Sequence, residues 1–238
     1  MNISSSLNAT IIIIPSREIT ALGSVVTFAF ILLGLCGNLL ILGLTLSNRK
    51  LRSSLINLFI VSLQLNDLVN IGFNCTLVAL AYALRSWPGP FALCELFVYT
   101  SIICTGCTLW HHALVSVNQY VFVVHNKKSS NAAMSKPRRN YLLFSLIASR
   151  VIPTLVCLPA LVNVETTVYS ATALRCLLAP NKSQAQSVLI LVVNILVPWL
   201  IITFCFSGIF LKVVLVLYQI SDNKFLKNNL NPLKIYKS

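Results

Sequence analysis

Acidic residues are scarce in this chain of 238 residues, which has five Asp and Glu, and charged residues of both signs make up only 10% of it. A soluble domain carries about 25% charged residues, so the composition excludes an ordinary globular enzyme, a disordered tail and a nucleic-acid-binding protein in water. Cysteine, with eight residues, is well below the content of a disulfide scaffold. Apolar residues instead reach 57%, with a mean hydropathy of +0.83. The chain is therefore interpreted as a membrane protein.

Long uncharged stretches divide the chain. Stretches of 30, 31 and 29 residues without charge follow Glu18, Glu95 and Lys182, and two more stretches each hold one charge, Asp67 and Arg150. Since a membrane-crossing helix needs about 20 apolar residues, the sequence predicts an all-α transmembrane bundle of five helices. Their hydrophobicity is continuous, which favours helices over barrel strands. We expect an extracellular N-terminus over 1–19, helices at about 20–46, 54–83, 92–124, 140–162 and 186–218, and a cytoplasmic tail over 219–238.

The basic residues collect on one predicted side of the membrane. Of the 18 Lys and Arg residues, 13 lie between the first two helices, between the third and fourth, or at and after the end of the fifth. Because cytoplasmic loops carry an excess of Lys and Arg, this pattern predicts an outside N-terminus and a cytoplasmic C-terminus. Glycosylation sequons at Asn2, Asn8 and Asn181 fall on the outer side. The net charge of +13 thus indicates topology and contact with membrane lipid rather than nucleic acid.

A set of motifs follows these helices in a fixed order and spacing. In chain order they are Gly37-Asn38, Asn57, Leu63, Asp67, Trp87, Cys94, Asn118-Gln119-Tyr120, Cys176 and Pro198. Trp87 precedes Cys94 by seven residues, and Asn118 follows Cys94 by 24. From about residue 20 to 218 the ordered set resembles the rhodopsin family of G-protein-coupled receptors. Trp87-Pro88 and the Asn-x-Tyr triplet are most similar to the melatonin-like and Moody-like invertebrate receptors.

The resemblance implies two structural sites. Cys94 and Cys176 would form the disulfide that holds the second outer loop over a ligand pocket. Asp67 with Thr108 would match the family's sodium site, so sodium is the one ion we expect, with no other cofactor. Asn38, Asn66 and Thr108 are the polar groups that could accompany Asp67.

The resemblance also implies the functional surfaces. Ser101, Thr105 and Asn194 would contact an extracellular ligand, and Asn118-Gln119-Tyr120 would face a heterotrimeric G protein. The family's amine receptors have an aspartate where Ser101 stands, so a monoamine ligand is not expected. The resemblance also implies that the chain is located in the plasma membrane.

Departures from the family pattern bear on signalling. Gln119 replaces the arginine that engages the G protein, and Phe206 replaces the tyrosine that meets that arginine, which argues against ordinary activation. The family has seven helices, so we expect this chain to be incomplete or non-signalling as it stands, with retention in the endoplasmic reticulum. Two further functions stay open: a truncated isoform that binds another receptor chain, and a small membrane transporter or scaffold.

Arg150 is predicted inside the fourth helix, at about the position of the family's tryptophan. A central arginine costs about 2.5–3.5 kcal/mol on insertion scales, so it needs a partner or water. Pairing with Asp67, the only acid deep in a span, is one hypothesis; snorkelling and a water-filled cleft are the others. The sequence has no Gly-rich phosphate loop, paired carboxylates or nucleophile–base pair, so an enzyme is not expected.

Overall fold

The computed structural model describes residues 15–52, 55–124, 136–162, 167–179 and 184–230. Within these ranges five helices are long and apolar enough to cross a membrane, which confirms the predicted all-α transmembrane class. A single helical turn, Arg49–Arg52, follows the first of them. We label the five helices α1 (Arg17–Ser47), α2 (55–84), α3 (Phe91–Val124), α4 (Lys136–Val162) and α5 (184–230).

Hydrogen bonds fix the start of α1 and the end of α2. Ser16 caps α1 by accepting the Ile19 N–H at 3.4 Å, and Glu18 in the first turn complements the helix dipole. At the end of α2, Arg85 adopts a left-handed conformation with φ 56°. Its guanidinium donates to the Pro15 carbonyl at 2.8 Å, so the start of α1 is tied to the end of α2.

Helix α3 lies at the centre of the bundle. It contacts α2, α4 and α5, whereas α1 packs mainly against α2. In the most apolar window of each helix, 39% of the residues of α3 are buried but only 6% of those of α1. Large apolar side chains such as Phe30 and Phe204 are exposed. Polar side chains such as Asn74 and His111 are buried, an arrangement suited to lipid outside and hydrogen bonding inside.

Two of the helices contain a π-helical turn that the apolar periodicity does not reveal. Asn70–Cys75 forms one in α2, and Leu191–Leu196 forms one in α5. A π turn inserts one residue into an α-helix and is often found at functional sites. Each turn carries a buried asparagine, Asn74 or Asn194.

A short hairpin, which the sequence did not predict, connects α4 and α5. Strands β1 (Thr167–Ser170) and β2 (Arg175–Leu178) pair antiparallel, with Tyr169 opposite Cys176. Leu174 precedes β2 with a positive φ of 50° and is buried. The hairpin contacts α3 through both strands.

The fifth helix is longer than expected. It continues to Leu230 rather than ending near residue 218, although its membrane-crossing part ends at Ile220. The extension follows from helix cooperativity, because adding a residue to an existing helix avoids the cost of nucleation. Residues 231–238 of the predicted tail and the sequons at Asn2, Asn8 and Asn181 lie outside the described residues.

Candidate functional site

A disulfide closes one end of the bundle. Cys94, near the start of α3, is bonded to Cys176 in β2, with a Cα–Cα distance of 5.5 Å, which confirms the predicted pair. Both cysteines lie in a buried apolar cluster with Phe97. Trp87 packs against this cluster and meets the Phe97 ring edge-on at 5.2 Å. The hairpin is therefore anchored against the end of α3.

Helices α3, α4 and α5 meet at Gly106. A Cβ atom on Gly106 would lie 2.8 Å from the Pro153 Cβ and 3.0 Å from the Asn194 Cγ. Pro198, one turn further along α5, is also buried. Glycine is thus favoured here because the side chains of Pro153 and Asn194 leave no room for a Cβ atom.

The Asn194 amide is buried at this junction without hydrogen bonds. The residue is 1% exposed, and neither its Nδ2 nor its Oδ1 has a partner in the described part of the chain. Such an orphan amide costs about 1–3 kcal/mol, and it offers both donors and an acceptor to a molecule that reaches it. The other predicted ligand contacts lie on α3, where Ser101 is half-buried and Thr105 is exposed.

The π turn explains the contact beside Asn194. Within this turn the Val197 N–H bonds to the Val192 carbonyl, which leaves the Val193 carbonyl without its usual helical donor. The indole Nε1 of Trp110 on α3 donates to that carbonyl at 3.1 Å. The distorted turn of α5 is therefore fastened to α3.

Asp67 and Thr108 lie together, as expected from their pairing in the sequence analysis. The Thr108 hydroxyl donates to the Asp67 carboxylate at 3.2 Å. The Asn66 amide donates to the Thr108 hydroxyl at 2.9 Å and to the Cys104 carbonyl at 3.0 Å. Asn38 does not join this group, because it donates to the Gly34 carbonyl of its own helix at 2.8 Å.

Arg150 does turn towards α2, but the hypothesis that it pairs with Asp67 is wrong. The guanidinium donates to the Asn66 Oδ1 at 2.9 Å, and to the carbonyl and hydroxyl oxygens of Ser62 at 2.6 and 2.7 Å. Ser62 and Asn66 are four residues apart and share one face of α2. Asp67 is rotated from that face by about 100°.

A buried histidine adds a second link between the same helices. His111 on α3 lies 2.8 Å from the Phe59 carbonyl through its Nε2 and 3.4 Å from the Ser149 hydroxyl through its Nδ1. Because a carbonyl only accepts, the Nε2 carries a proton and the imidazole faces α2 as a donor. Within the described ranges, no group of three or more His, Cys, Asp or Glu residues could hold a metal ion.

Comparison with known proteins identifies the family. The sequence profile described as "7 transmembrane receptor (rhodopsin family)" matches residues 37–228. The chain belongs to this family. Its resemblance to melatonin receptors is also borne out.

Two receptors and one solved structure illustrate the relationship. The receptor chain is 26% identical to mouse melatonin receptor type 1A, over 83% of this chain and 56% of that receptor. It is 26% identical to zebrafish melatonin receptor type 1B-B, over 88% and 58%. Squid rhodopsin has the same fold, with a TM-score of 0.71 at 16% identity, over 89% of this chain and 57% of that one. The receptor chain thus spans little more than half the length of these relatives.

The opposite end of the receptor bundle carries the Asn118-Gln119-Tyr120 motif. Asn118 and Gln119 help to line a cavity of about 510 Å³ between α2, α3 and α4. Tyr120 instead packs on α5, against Gly208 and with its ring 5.7 Å from that of Phe204. Phe206 is exposed.

Three contributors to these sites were not singled out from the sequence. Ser62 could have been found, since it lies one helical turn before Asn66 and on the same face. Ser149 and Trp110 had no such signal, because their partners are set by packing between helices distant in the sequence.

Proposed function

We propose that this receptor chain binds an extracellular ligand beneath the disulfide-anchored hairpin, at the junction of α3, α4 and α5. The orphan amide of Asn194 carries the proposal, since its two hydrogen-bonding atoms are buried together without partners among the residues that the structure describes. A ligand that supplies both a donor and an acceptor would recover the free energy that this burial costs.

The ligand is proposed to be a small, uncharged molecule. Ser101 and Thr105 are neutral, and neither offers the counter-charge that an amine needs. The relatives are named as melatonin receptors, and melatonin is uncharged and carries an amide that could pair with the Asn194 amide. Melatonin is therefore the first probe.

Asn194→Leu tests the site with and without a ligand. Leucine has nearly the same volume as asparagine but no polar side-chain atoms. Without ligand, the variant is therefore expected to be more stable than the parent chain by about 1–3 kcal/mol. The same substitution should weaken binding of tritiated melatonin to membranes by about tenfold or more, because each 1.4 kcal/mol lost is a factor of about ten. Thermal unfolding and saturation binding measure the two effects.

Thr203→Val is the matched control on the same helix. Thr203 donates to the Trp199 carbonyl and is accessible at the bundle surface, so its loss should change neither measurement greatly. If Asn194→Leu lowered the melting temperature and left binding unaltered, Asn194 would be a structural residue. If the variant were stabilised but the parent chain did not bind melatonin, the site would stand and melatonin would be the wrong ligand.

We further propose that the disulfide end faces the outside of the plasma membrane. The basic residues beyond the opposite end and the sequons at Asn2, Asn8 and Asn181 support this orientation. Loss of a glycosidase-sensitive band shift in Asn181→Gln would support it. The orientation would be refuted if an N-terminal epitope were labelled only after the cells were permeabilised and the chain carried no glycan.

Coupling to a heterotrimeric G protein is proposed to be absent in this chain. Gln119 lacks the charge of the family's arginine, and Phe206 lacks the hydroxyl of the family's tyrosine. Nucleotide exchange on a purified G protein should therefore be absent with the parent chain in nanodiscs and rise with Gln119→Arg plus Phe206→Tyr. Exchange stimulated by the parent chain would contradict the proposal.

A further inference from the structure

The hydrogen bonds around Asp67 all run in one direction. Arg150 donates to the Asn66 oxygen at 2.9 Å. The Asn66 nitrogen donates to Thr108 at 2.9 Å, and the Thr108 hydroxyl donates to Asp67 at 3.2 Å. Each group thus donates a hydrogen bond to the next, and the series begins at a guanidinium and ends at a carboxylate. Bonds arranged head to tail polarise one another and are strengthened in a low-dielectric interior.

We propose that Arg150 is the built-in counter-charge of Asp67, linked to it through Asn66 and Thr108, and that it replaces the sodium ion the family resemblance implies. The relay of four side chains (Arg150, Asn66, Thr108 and Asp67) connects α4, α2 and α3. The receptor chain is therefore insensitive to sodium.

The donor atoms beside Asp67 fit a cation poorly. The Thr108 hydroxyl accepts one N–H and gives its own proton to Asp67, which leaves it a single lone pair. The Asn66 amide presents its N–H₂ group to this side, while its oxygen is engaged by Arg150. A sodium ion would meet positive partial charges where it needs oxygen ligands.

Arg150 is also held too firmly to leave the relay. Its two terminal nitrogens make three hydrogen bonds to α2, two of them to Ser62. In hydrocarbon an arginine without hydrogen-bond partners would be strongly unfavourable, so these bonds persist. The positive charge near Asp67 is consequently permanent, whereas a bound ion could leave.

Sodium dependence of unfolding tests the proposal on the whole chain. The buried thiols of Cys107, Cys157 and Cys205 react with a maleimide dye only when the chain opens, which reports the melting temperature. The parent chain should melt at the same temperature in sodium chloride and in choline chloride of equal ionic strength. Arg150→Met should melt several degrees higher in sodium chloride than in choline chloride, because the unpaired carboxylate then attracts the ion.

Two further variants make the result specific. Asp67→Asn combined with Arg150→Met should abolish the sodium effect, and Arg150→Lys should stay insensitive because it keeps the charge. If Arg150→Met does not fold, Arg150→Gln removes the charge but keeps an N–H₂ donor for Ser62, and should gain sodium dependence in its place. The proposal is overturned if sodium stabilises the parent chain and Asp67→Asn removes that effect, or if the folded Arg150→Met chain shows no sodium dependence.

Discussion

Gly106 offers a quantitative test of how tightly α3, α4 and α5 are packed. Its substitution by alanine would place a Cβ 2.8 Å from the Pro153 Cβ, whereas carbon atoms pack best at about 3.5–4.0 Å. Pro153 is a rigid ring inside α4, so α3 and α4 must separate by roughly 1 Å. Overpacking of this kind costs about 1–3 kcal/mol.

Gly43→Ala supplies the matched comparison, since no atom of the described segments lies within 4 Å of a Cβ added at Gly43. Both variants gain about 1 kcal/mol of helix propensity, so their difference isolates the steric cost. At about 2–4 °C per kcal/mol, Gly106→Ala should melt several degrees below Gly43→Ala. Thermal unfolding monitored by dye labelling of buried cysteines measures both. Equal melting temperatures would refute the argument that α3, α4 and α5 are tightly packed at Gly106.

The disulfide and the π-turn contact yield two further predictions. Cys94→Ser and Cys176→Ser should each destabilise the chain by at most about 4.5 kcal/mol, the entropy of closing this loop, and less if the helices stay inserted. The double variant should have the same melting temperature as each single variant, and additive losses of stability would contradict the pairing. Trp110→Phe keeps an aromatic ring but leaves the Val193 carbonyl without its indole donor, at a cost of about 0.5–2 kcal/mol. Trp199→Phe, on an exposed position, is its control in the same melting assay, and equal effects would show that the indole hydrogen bond contributes nothing.

The positions of the helices could be predicted because the hydrocarbon core of a membrane imposes long apolar stretches. The interior contacts were harder, as Arg150 illustrates. Charge alone predicted Asp67 as the partner of Arg150. The face of α2 that α4 meets instead carries Ser62 and Asn66. Helical spacing would have pointed to those two residues, and the choice between faces depended on how α4 packs.

The disulfide and the Asp67–Thr108 contact were expected from the ordered motifs of the family rather than from local chemistry. The hairpin that carries Cys176 was missed, because β1 and β2 have only four residues each. The orphan state of Asn194 could not be predicted either. Its segment, Leu191–Leu196, is almost uniformly apolar, so a shift of one residue leaves no trace in the pattern.

The π turns also determine where the receptor's length can vary. Removing one residue from a regular helix rotates everything beyond the deletion by about 100° and turns its lipid-facing side inwards. Removing one from Asn70–Cys75 or Leu191–Leu196 would convert a wide turn into a regular one and leave both flanking halves facing as before. A single-residue gap at either place, when relatives are aligned, would therefore record the loss of a π turn, with the asparagine it presents, rather than an error of alignment.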